Sequence, residues 1–309
     1  MRRSRVRLPP SSCPLVRRAG PAEDGEVSER WDVDTGDGGS IAVWVEGDGP
    51  PLVLVHGSVS DHTAFEPLVG ELRAEFTTFA MDRRGFGASF DGPRYSAERE
   101  FSDVAAVVEA VAGRTGESVV LFGHSWGASC ALGAALELPA LQALVLYEPS
   151  LGLRYPPGSI DGIEARLAAG DNEGAVVEMF STIVGLTEDE IEERRAAPNW
   201  PERVATAPTL AREARIEDGW DWQPDQFARI GVPTLLITGS ETTPELAQIT
   251  ALTAAAIPGA RVHVLVGHGH IAYRSEPAVV ANVLRNVPSS LAPEPLSGQA
   301  RITFPLGRP

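Results

Sequence analysis

Residues 51–57 read "PLVLVHG", a continuous apolar run that stops at a glycine. The run has no alternation of apolar and polar residues, so both faces of the strand it predicts must be buried. Such a strand belongs inside a sheet covered by helices on both sides. More short runs of this kind follow in "TTFAMD", "SVVLFG" and "LQALVLYEPS", and two lie far downstream in "VPTLLITG" and "RVHVLVG". Helical spacing fills the intervals, in "TAFEPLVGELRAEF", "AEREFSDVAAVVEAVAGR", "WGASCALGAALE", "PELAQITALTAAAIPG" and "PAVVANVLRNV". Gly113 stands where the second of these helices is expected to end. Repeated strand–helix alternation predicts an α/β fold with a mostly parallel sheet and helices on both faces. Ahead of it, "RWDVD" and "IAVWVE" around the turn "TGDGG" predict an antiparallel hairpin.

One interval breaks the alternation. Residues 152–223 carry amphipathic helical patterns with little strand signal, and Trp200, Trp220 and Trp222 accompany the later ones. They predict a helical insertion between two sheet strands, either a lid over a site or a structural appendage. Both chain ends are Pro-rich and aperiodic. The first, "MRRSRVRLPPSSCPLVRRAGP", is also Arg-rich and lacks the apolar core of an export signal. The expected organisation is a disordered tail over 1–26, a core over 27–151, the insertion over 152–223, a second part of the core over 224–288 and a tail over 289–309.

Charge narrows the partners. The formal net charge is −16, which argues against nucleic acid or an anionic membrane surface as the main partner. No apolar run approaches the roughly 20 residues that span a bilayer. Two cysteines, Cys13 and Cys130, make no disulfide framework, and a reduced, cytoplasmic protein is expected. Cys130 reads as a small core residue.

The chemistry is concentrated at "SVVLFGHSWGASCALGAALE", residues 118–137. Gly123, Ser125 and Gly127 make a G-x-S-x-G pattern between an incoming strand and an outgoing helix. At that sharp turn the serine hydroxyl is held out at the carboxyl end of the sheet, and side chains at the flanking positions would clash. A serine hydroxyl needs a base, and its tetrahedral intermediate needs hydrogen-bond donors. The backbone N–H of Trp126, at the start of the helix, is one donor. The other is expected in the loop after an earlier strand, where "LVLVHGSVS" offers Ser58, with Val59 as its alternative. His56 precedes that turn and reads as structural.

Four segments together, "LVLVHGSVSDHTAF", "AMDRRGFGAS", "LFGHSWGAS" and "VLVGHGHIAYRSEP", resemble successive motifs of the α/β-hydrolase family. They run from Leu52 to Pro277, nearly all of the chain between the tails. The resemblance implies an eight-stranded α/β-hydrolase sheet, a helical cap after its sixth strand and acyl-hydrolase chemistry without a cofactor. It also implies that Asp82, Arg83, Gly85 and Gly87 are structural.

The fold uses the order serine, acid, histidine, so the base is sought near the C-terminal end. His263 lies inside a strand. His268 and His270 share "VGHGHIAY", and His270 fits the family pattern, with Gly269 before it and Pro277 beyond. A neutral imidazole suits proton transfer to and from the serine. Many relatives place an aspartate after the seventh strand, but in "LLITGSETTPEL" that slot holds Thr242, with Glu241 one residue early. Some relatives use an acid directly after the sixth strand, and "LVLYEPSLG" has Glu148 there. Glu148 resembles the glutamate of haloalkane dehalogenases, whose aspartate nucleophile Ser125 replaces. Glu148 and Glu241 are thus the two candidate acids.

Of the remaining polar and aromatic residues, His62 heads a helix near the oxyanion loop and either lines the pocket or faces solvent. Trp126 and Tyr147 are expected to border the site. No zinc-ligand spacing, dinucleotide fingerprint or phosphate loop appears, so neither metal nor cofactor is expected. The leading reading is a serine hydrolase of carboxylesterase type, cleaving an ester, thioester or related acyl bond of a small molecule. Two alternatives are a non-hydrolytic enzyme on the same fold (a lyase, acyltransferase or perhydrolase) and a non-catalytic ligand-binding or receptor protein.

Overall fold

A computed structural model of the 309-residue chain describes residues 16–18, 29–92, 94–138, 141–221 and 223–287. The strands are β1 (Val16–Arg18), β2 (Glu29–Asp34), β3 (Ser40–Glu46), β4 (Pro51–Val55), β5 (Thr77–Met81), β6 (Val119–His124), β7 (Leu141–Tyr147), β8 (Thr234–Gly239) and β9 (Arg261–Leu265). They form one sheet in the order β1-β2-β3-β5-β4-β6-β7-β8-β9. Eight of them are the expected sheet. The ninth, β1, comes from the segment read as a tail and pairs antiparallel with β2 at the edge. The rest of the expected tails, Cys13 and Trp222 lie outside the described residues.

The hairpin β2–β3 is antiparallel, and β3 pairs antiparallel with β5. From β5 across to β9 every pairing is parallel. Sequence period two decides which face each side chain serves. Val53 and Val55 of β4 join one core with Leu121, Leu144, Leu146 and helices α2 (Ala97–Thr115) and α3 (Trp126–Ala134). Leu52 and Leu54 join the opposite core with Phe122, Val145 and helices α1 (Glu66–Leu72), α10 (Ala272–Ser275) and α11 (Pro277–Arg285). This two-faced burial is why the β4 run is continuously apolar. Helix α2 continues through Gly113 and ends on Gly116, whose φ of 73° suits the left-handed cap. Helix α9 (Pro244–Ala256) connects β8 to β9.

Between β7 and β8 the chain forms α4 (Ser159–Ala168), α5 (Asn172–Glu178), a π-helical turn (Met179–Val184), α6 (Glu188–Arg195), α7 (Trp200–Ala205) and α8 (Ala207–Gly219). These helices share their own apolar cluster, including Ile163, Val176, Phe180, Trp200 and Leu210. The sheet side contributes Val59, from the loop after β4, to that cluster.

The order β5-β4-β6 carries a consequence for function. The chain leaves β4 to one side and returns as β6 on the other, which opens a crevice between their carboxyl ends. Val55 is paired with Gly123 there, so the loops carrying Ser58 and Ser125 start side by side.

Candidate active site

Ser125 follows β6 and precedes α3, with φ 55° and ψ −125°. A non-glycine residue at that φ is strained, and the surroundings must hold it there. They do so by direct contact. A Cβ on Gly123 would lie 2.5 Å from the Gly127 carbonyl oxygen, and one on Gly127 would lie 2.3 Å from that of His56. Both flanking positions therefore admit only glycine. The Ser125 N–H donates to the Tyr147 carbonyl (2.9 Å), and the Ser125 carbonyl accepts from Ala128 and Ser129 as α3 begins. Trp126 is the first residue of α3, so its N–H belongs to the unpaired amino-terminal donors of that helix.

The sequence-predicted residues follow the ends of five parallel strands: Ser58 after β4, Ser125 after β6, Glu148 after β7, Glu241 after β8 and His270 after β9. Ser58, Ser125, Glu241 and His270 line one cavity of about 680 Å³. Glu148 is fully buried behind it, with φ 46°. One carboxylate oxygen lies 2.6 Å from His270 Nδ1, and the other accepts from the Gly239 N–H (2.8 Å) and the Thr238 hydroxyl (3.1 Å). Burial alone would raise its pKa. The bond and charge of His270, with the Gly239 N–H, outweigh burial and hold the carboxyl below its ordinary value. Thr242, in the family's usual acid slot, also lowers it, although its hydroxyl makes no regular hydrogen bond. Glu241 bonds through its backbone N–H to the His268 carbonyl (2.9 Å). Of the two candidate acids, Glu148 is the one the structure brings to the imidazole.

The loop bearing His270 is fixed on both sides. Tyr147 donates its hydroxyl hydrogen to the Gly269 carbonyl and accepts from the Ala272 N–H (3.3 Å). His124 Nε2 lies 2.8 Å from the His270 carbonyl, and its ring packs 4.4 Å from the His270 ring. Burial and the neighbouring imidazole push His124 well below the ordinary histidine range, so it is neutral and Nε2 carries the hydrogen. Sequence reasoning passed over His124, although it sits beside Ser125 in the pattern itself.

Other expectations divide. His56 is buried; its Nε2 accepts from the Arg83 N–H (3.0 Å), and burial and Arg83 lower its pKa to about 4, in keeping with a structural role. His62 neither lines the cavity nor stands free: its N–H and Nδ1 meet Asp82 at 2.9 and 2.7 Å, and it stacks on Trp44. Asp82 also accepts from the Ala88 N–H and the Trp44 indole, and a Cβ on Gly87 would strike it at 2.2 Å. His263 is exposed on β9. Trp126 and Tyr147 do not form the cavity wall. Both side chains are fully buried, because the Trp126 indole donates to Glu100 (3.0 Å) and the Tyr147 hydroxyl is turned to the His270 loop.

A charged network joins the insertion to the sheet. Arg83, fully buried, binds Glu100 at 2.9 and 2.8 Å and Glu213 of α8 at 2.9 Å. One turn along α8, Glu217 lines the cavity and accepts from the hydroxyls of Ser150 (2.6 Å) and Tyr155. Met179, Phe180 and Ile183 of the π-helical turn also line the cavity. Among the described residues, no three His, Cys, Asp or Glu side chains are grouped to hold a metal ion, and no helix is long and apolar enough to cross a membrane.

A profile of the alpha/beta hydrolase family matches residues 52–283. The chain belongs to the alpha/beta hydrolase family. An alpha/beta hydrolase from Sphaerobacter thermophilus superposes with a TM-score of 0.72 at 32% identity, covering 83% of this chain and 99% of that one. The 2-(acetamidomethylene)succinate hydrolase of Mesorhizobium japonicum is 27% identical over 280 residues, which is 86% of this chain and 96% of that protein. A pimeloyl-[acyl-carrier protein] methyl ester esterase from Xylella fastidiosa is 37% identical over 102 residues, 33% of this chain and 37% of its own. Within the alpha/beta hydrolase frame, this chain departs from the usual acid slot, which Thr242 occupies, and binds the histidine from β7 instead.

Proposed function

We propose that the protein is a cofactor-free serine hydrolase of carboxylesterase type, cleaving an ester, thioester or related acyl bond of a small molecule through an acyl-enzyme on Ser125. One observation carries the reading. A serine held at φ 55° at the end of a central parallel strand shares a cavity with His270, whose Nδ1 lies 2.6 Å from the buried Glu148.

In the proposed reaction, Ser125 Oγ bonds to the acyl carbon as His270 Nε2 takes the hydroxyl proton. Glu148 holds the imidazole in the tautomer that leaves Nε2 free and stabilises the cation that forms. The carbonyl electron pair moves to oxygen, where the N–H groups of Ser58 and Trp126 receive it. When the tetrahedral centre collapses, the leaving group departs with the proton from His270. Water then attacks the acyl carbon, gives its proton to His270, and Ser125 Oγ leaves and recovers it. The helical insertion is the cap. It supplies the apolar wall at Met179 and Phe180 and closes a cavity whose volume lies in the usual range for small-molecule sites. The scarcity of cysteine favours the cytoplasm.

The test is labelling with a serine-directed phosphonate and turnover of a short-chain chromogenic ester, in the wild type and in Ser125→Ala. Both signals are expected, and both should vanish in the variant. Labelling without ester turnover would favour a non-hydrolytic reaction on the same fold. Neither signal in a folded sample would overturn catalysis at this serine.

A further inference from the structure

The chain contains 42 acidic and 26 basic residues, so a basic side chain rarely lacks a partner for want of carboxylates. Arginines withdrawn from water are accordingly neutralised. Arg83 is held between Glu100 and Glu213, and Arg84 between Asp37 and Asp103. The cavity wall breaks this rule. Arg154 after β7, Arg194 of α6, Arg203 of α7 and Arg274 of α10 all line it, and no carboxylate among the described residues lies within ion-pair distance of any of them, although Arg194 and Arg203 are part-buried. Arg203 is part-buried and spends one donor on the Val59 carbonyl (2.8 Å). Asp61, the carboxylate that influences it most, accepts from the N–H and hydroxyl of Thr63. Burial and then the like charge of Arg274 lower the pKa of Arg203, and Arg194 adds to the effect. A part-buried Arg203 with no carboxylate partner and the like charge of the exposed Arg274 near it is an unfavourable arrangement in the empty protein. An anion placed between them would relieve it.

Their positions relate them to the reacting centre. Val59, which Arg203 holds, adjoins Ser58 in the proposed oxyanion loop. Arg274 follows His270 by four residues. Three carboxylates also line the cavity, Glu217 on α8, Glu241 on the connection from β8 to α9 and Glu245 in the first turn of α9, and none of them pairs with these arginines.

Resting on the serine-hydrolase reading above, we propose that Arg203 and Arg274 form a subsite for a carboxylate on the substrate, so that the preferred substrates are acyl compounds carrying a free carboxylate, such as half-esters of small dicarboxylic acids. The planar fork of donors on each guanidinium matches a carboxylate, and an exposed, hydrated lysine would not serve as well.

Two measurements test this. The first compares kcat/KM for p-nitrophenyl half-esters of succinate, glutarate and adipate with neutral p-nitrophenyl esters of matched length. At least one half-esters is expected to be preferred, and Arg203→Gln or Arg274→Gln should collapse the preference by about 10- to 100-fold, mainly through KM, as a lost charge-assisted hydrogen bond implies. Arg274 is exposed, so its variant leaves the Val59 contact in place, and Arg203→Lys should recover part of the preference. The second measures calorimetric binding of succinate, glutarate and inorganic phosphate to Ser125→Ala. A dicarboxylate should bind, and Arg274→Gln in that background should weaken it by at least about tenfold. Neutral esters preferred by the wild type, dicarboxylates that do not bind, or phosphate binding where they fail would each overturn the subsite. Dicarboxylate binding without turnover of any ester would instead leave the subsite standing and overturn the hydrolase reading.

Discussion

Glu217 offers the sharpest energetic test of how the helical insertion sits on the core. Its side chain is buried on α8, where it receives hydrogen bonds from Ser150 and Tyr155. Burial is the largest influence and raises its pKa. The two hydroxyls and Arg83 oppose that rise, Glu213 adds to it, and the net result is a value of about 7 against an ordinary 4.5. In the folded protein the carboxyl keeps its proton to about pH 7, whereas in the unfolded chain it loses it near 4.5. Unfolding between those limits releases a proton, so this group's stabilisation is complete below 4.5 and is lost as pH rises through 7. At about 1.4 kcal/mol per pH unit, the gap corresponds to about 3 kcal/mol. Glu213 and Asp103, also raised, act in the same direction, and Glu148, lowered, acts in the other. The test is therefore the difference between Glu217→Gln and the wild type, from chemical denaturation followed by circular dichroism between pH 5 and 8. The variant should match the wild type within about 1 kcal/mol at pH 5, because glutamine resembles the protonated acid. It should gain on the wild type by about 2–3 kcal/mol by pH 8. A difference that stays flat across that interval would refute the reasoning.

The triad acid has a direct comparison. Glu148→Gln should lower kcat by about 10⁴, the loss expected when a histidine is left in the wrong tautomer, while Glu241→Gln should stay within about threefold of the wild type in the same ester assay. Adding Thr242→Asp to Glu148→Gln should restore at least about tenfold of the lost kcat, since Thr242 already lies close enough to influence Glu148. No recovery in a folded double variant would mean that an acid at position 242 does not reach the imidazole in this chain.

Much of the frame was legible because local pattern and tertiary need agree. "PLVLV" had to be a strand buried on both faces, and its residues divide by parity between the two cores. The elbow glycines were legible for steric reasons that the contacts at 2.5 and 2.3 Å bear out. Other features depend on separations that no local pattern encodes. Strand β1 sits in an Arg- and Pro-rich stretch and pairs with the sheet edge at β2. Gly113 looked like a helix end, yet its backbone continues in the helix and Gly116 supplies the left-handed turn. Trp126 and Tyr147 neighbour the reactive groups in sequence, but along a strand and at a helix start adjacent side chains point to different places. Arg194, Arg203 and Arg274 of the cavity wall come from three helices separated by up to 80 residues, so no spacing announces them.

The contact between Glu148 and His270 follows from how the sheet edge is built. Strands β7, β8 and β9 are consecutive neighbours, so the backbones of an acid just after β7 and a histidine after β9 start two strand spacings apart, about 10 Å in a regular sheet. Strand β8 occupies the gap and serves as the support. Its Gly239 N–H and Thr238 hydroxyl both bind the Glu148 oxygen that does not face His270. A Cβ on Gly239 would lie 2.1 Å from the His268 carbonyl, so this residue also lets the histidine loop settle directly on the strand end. Strand β8 thus holds the acid and seats the loop without itself carrying the carboxylate. The Ser125 N–H meanwhile bonds to Tyr147, the residue before Glu148. Ser125 and Glu148 are thereby anchored to each other through adjacent backbone, and the long-range element left to position is the His270 loop. The Tyr147 hydroxyl and the neutral His124 ring, which bind residues 269, 270 and 272, supply that positioning.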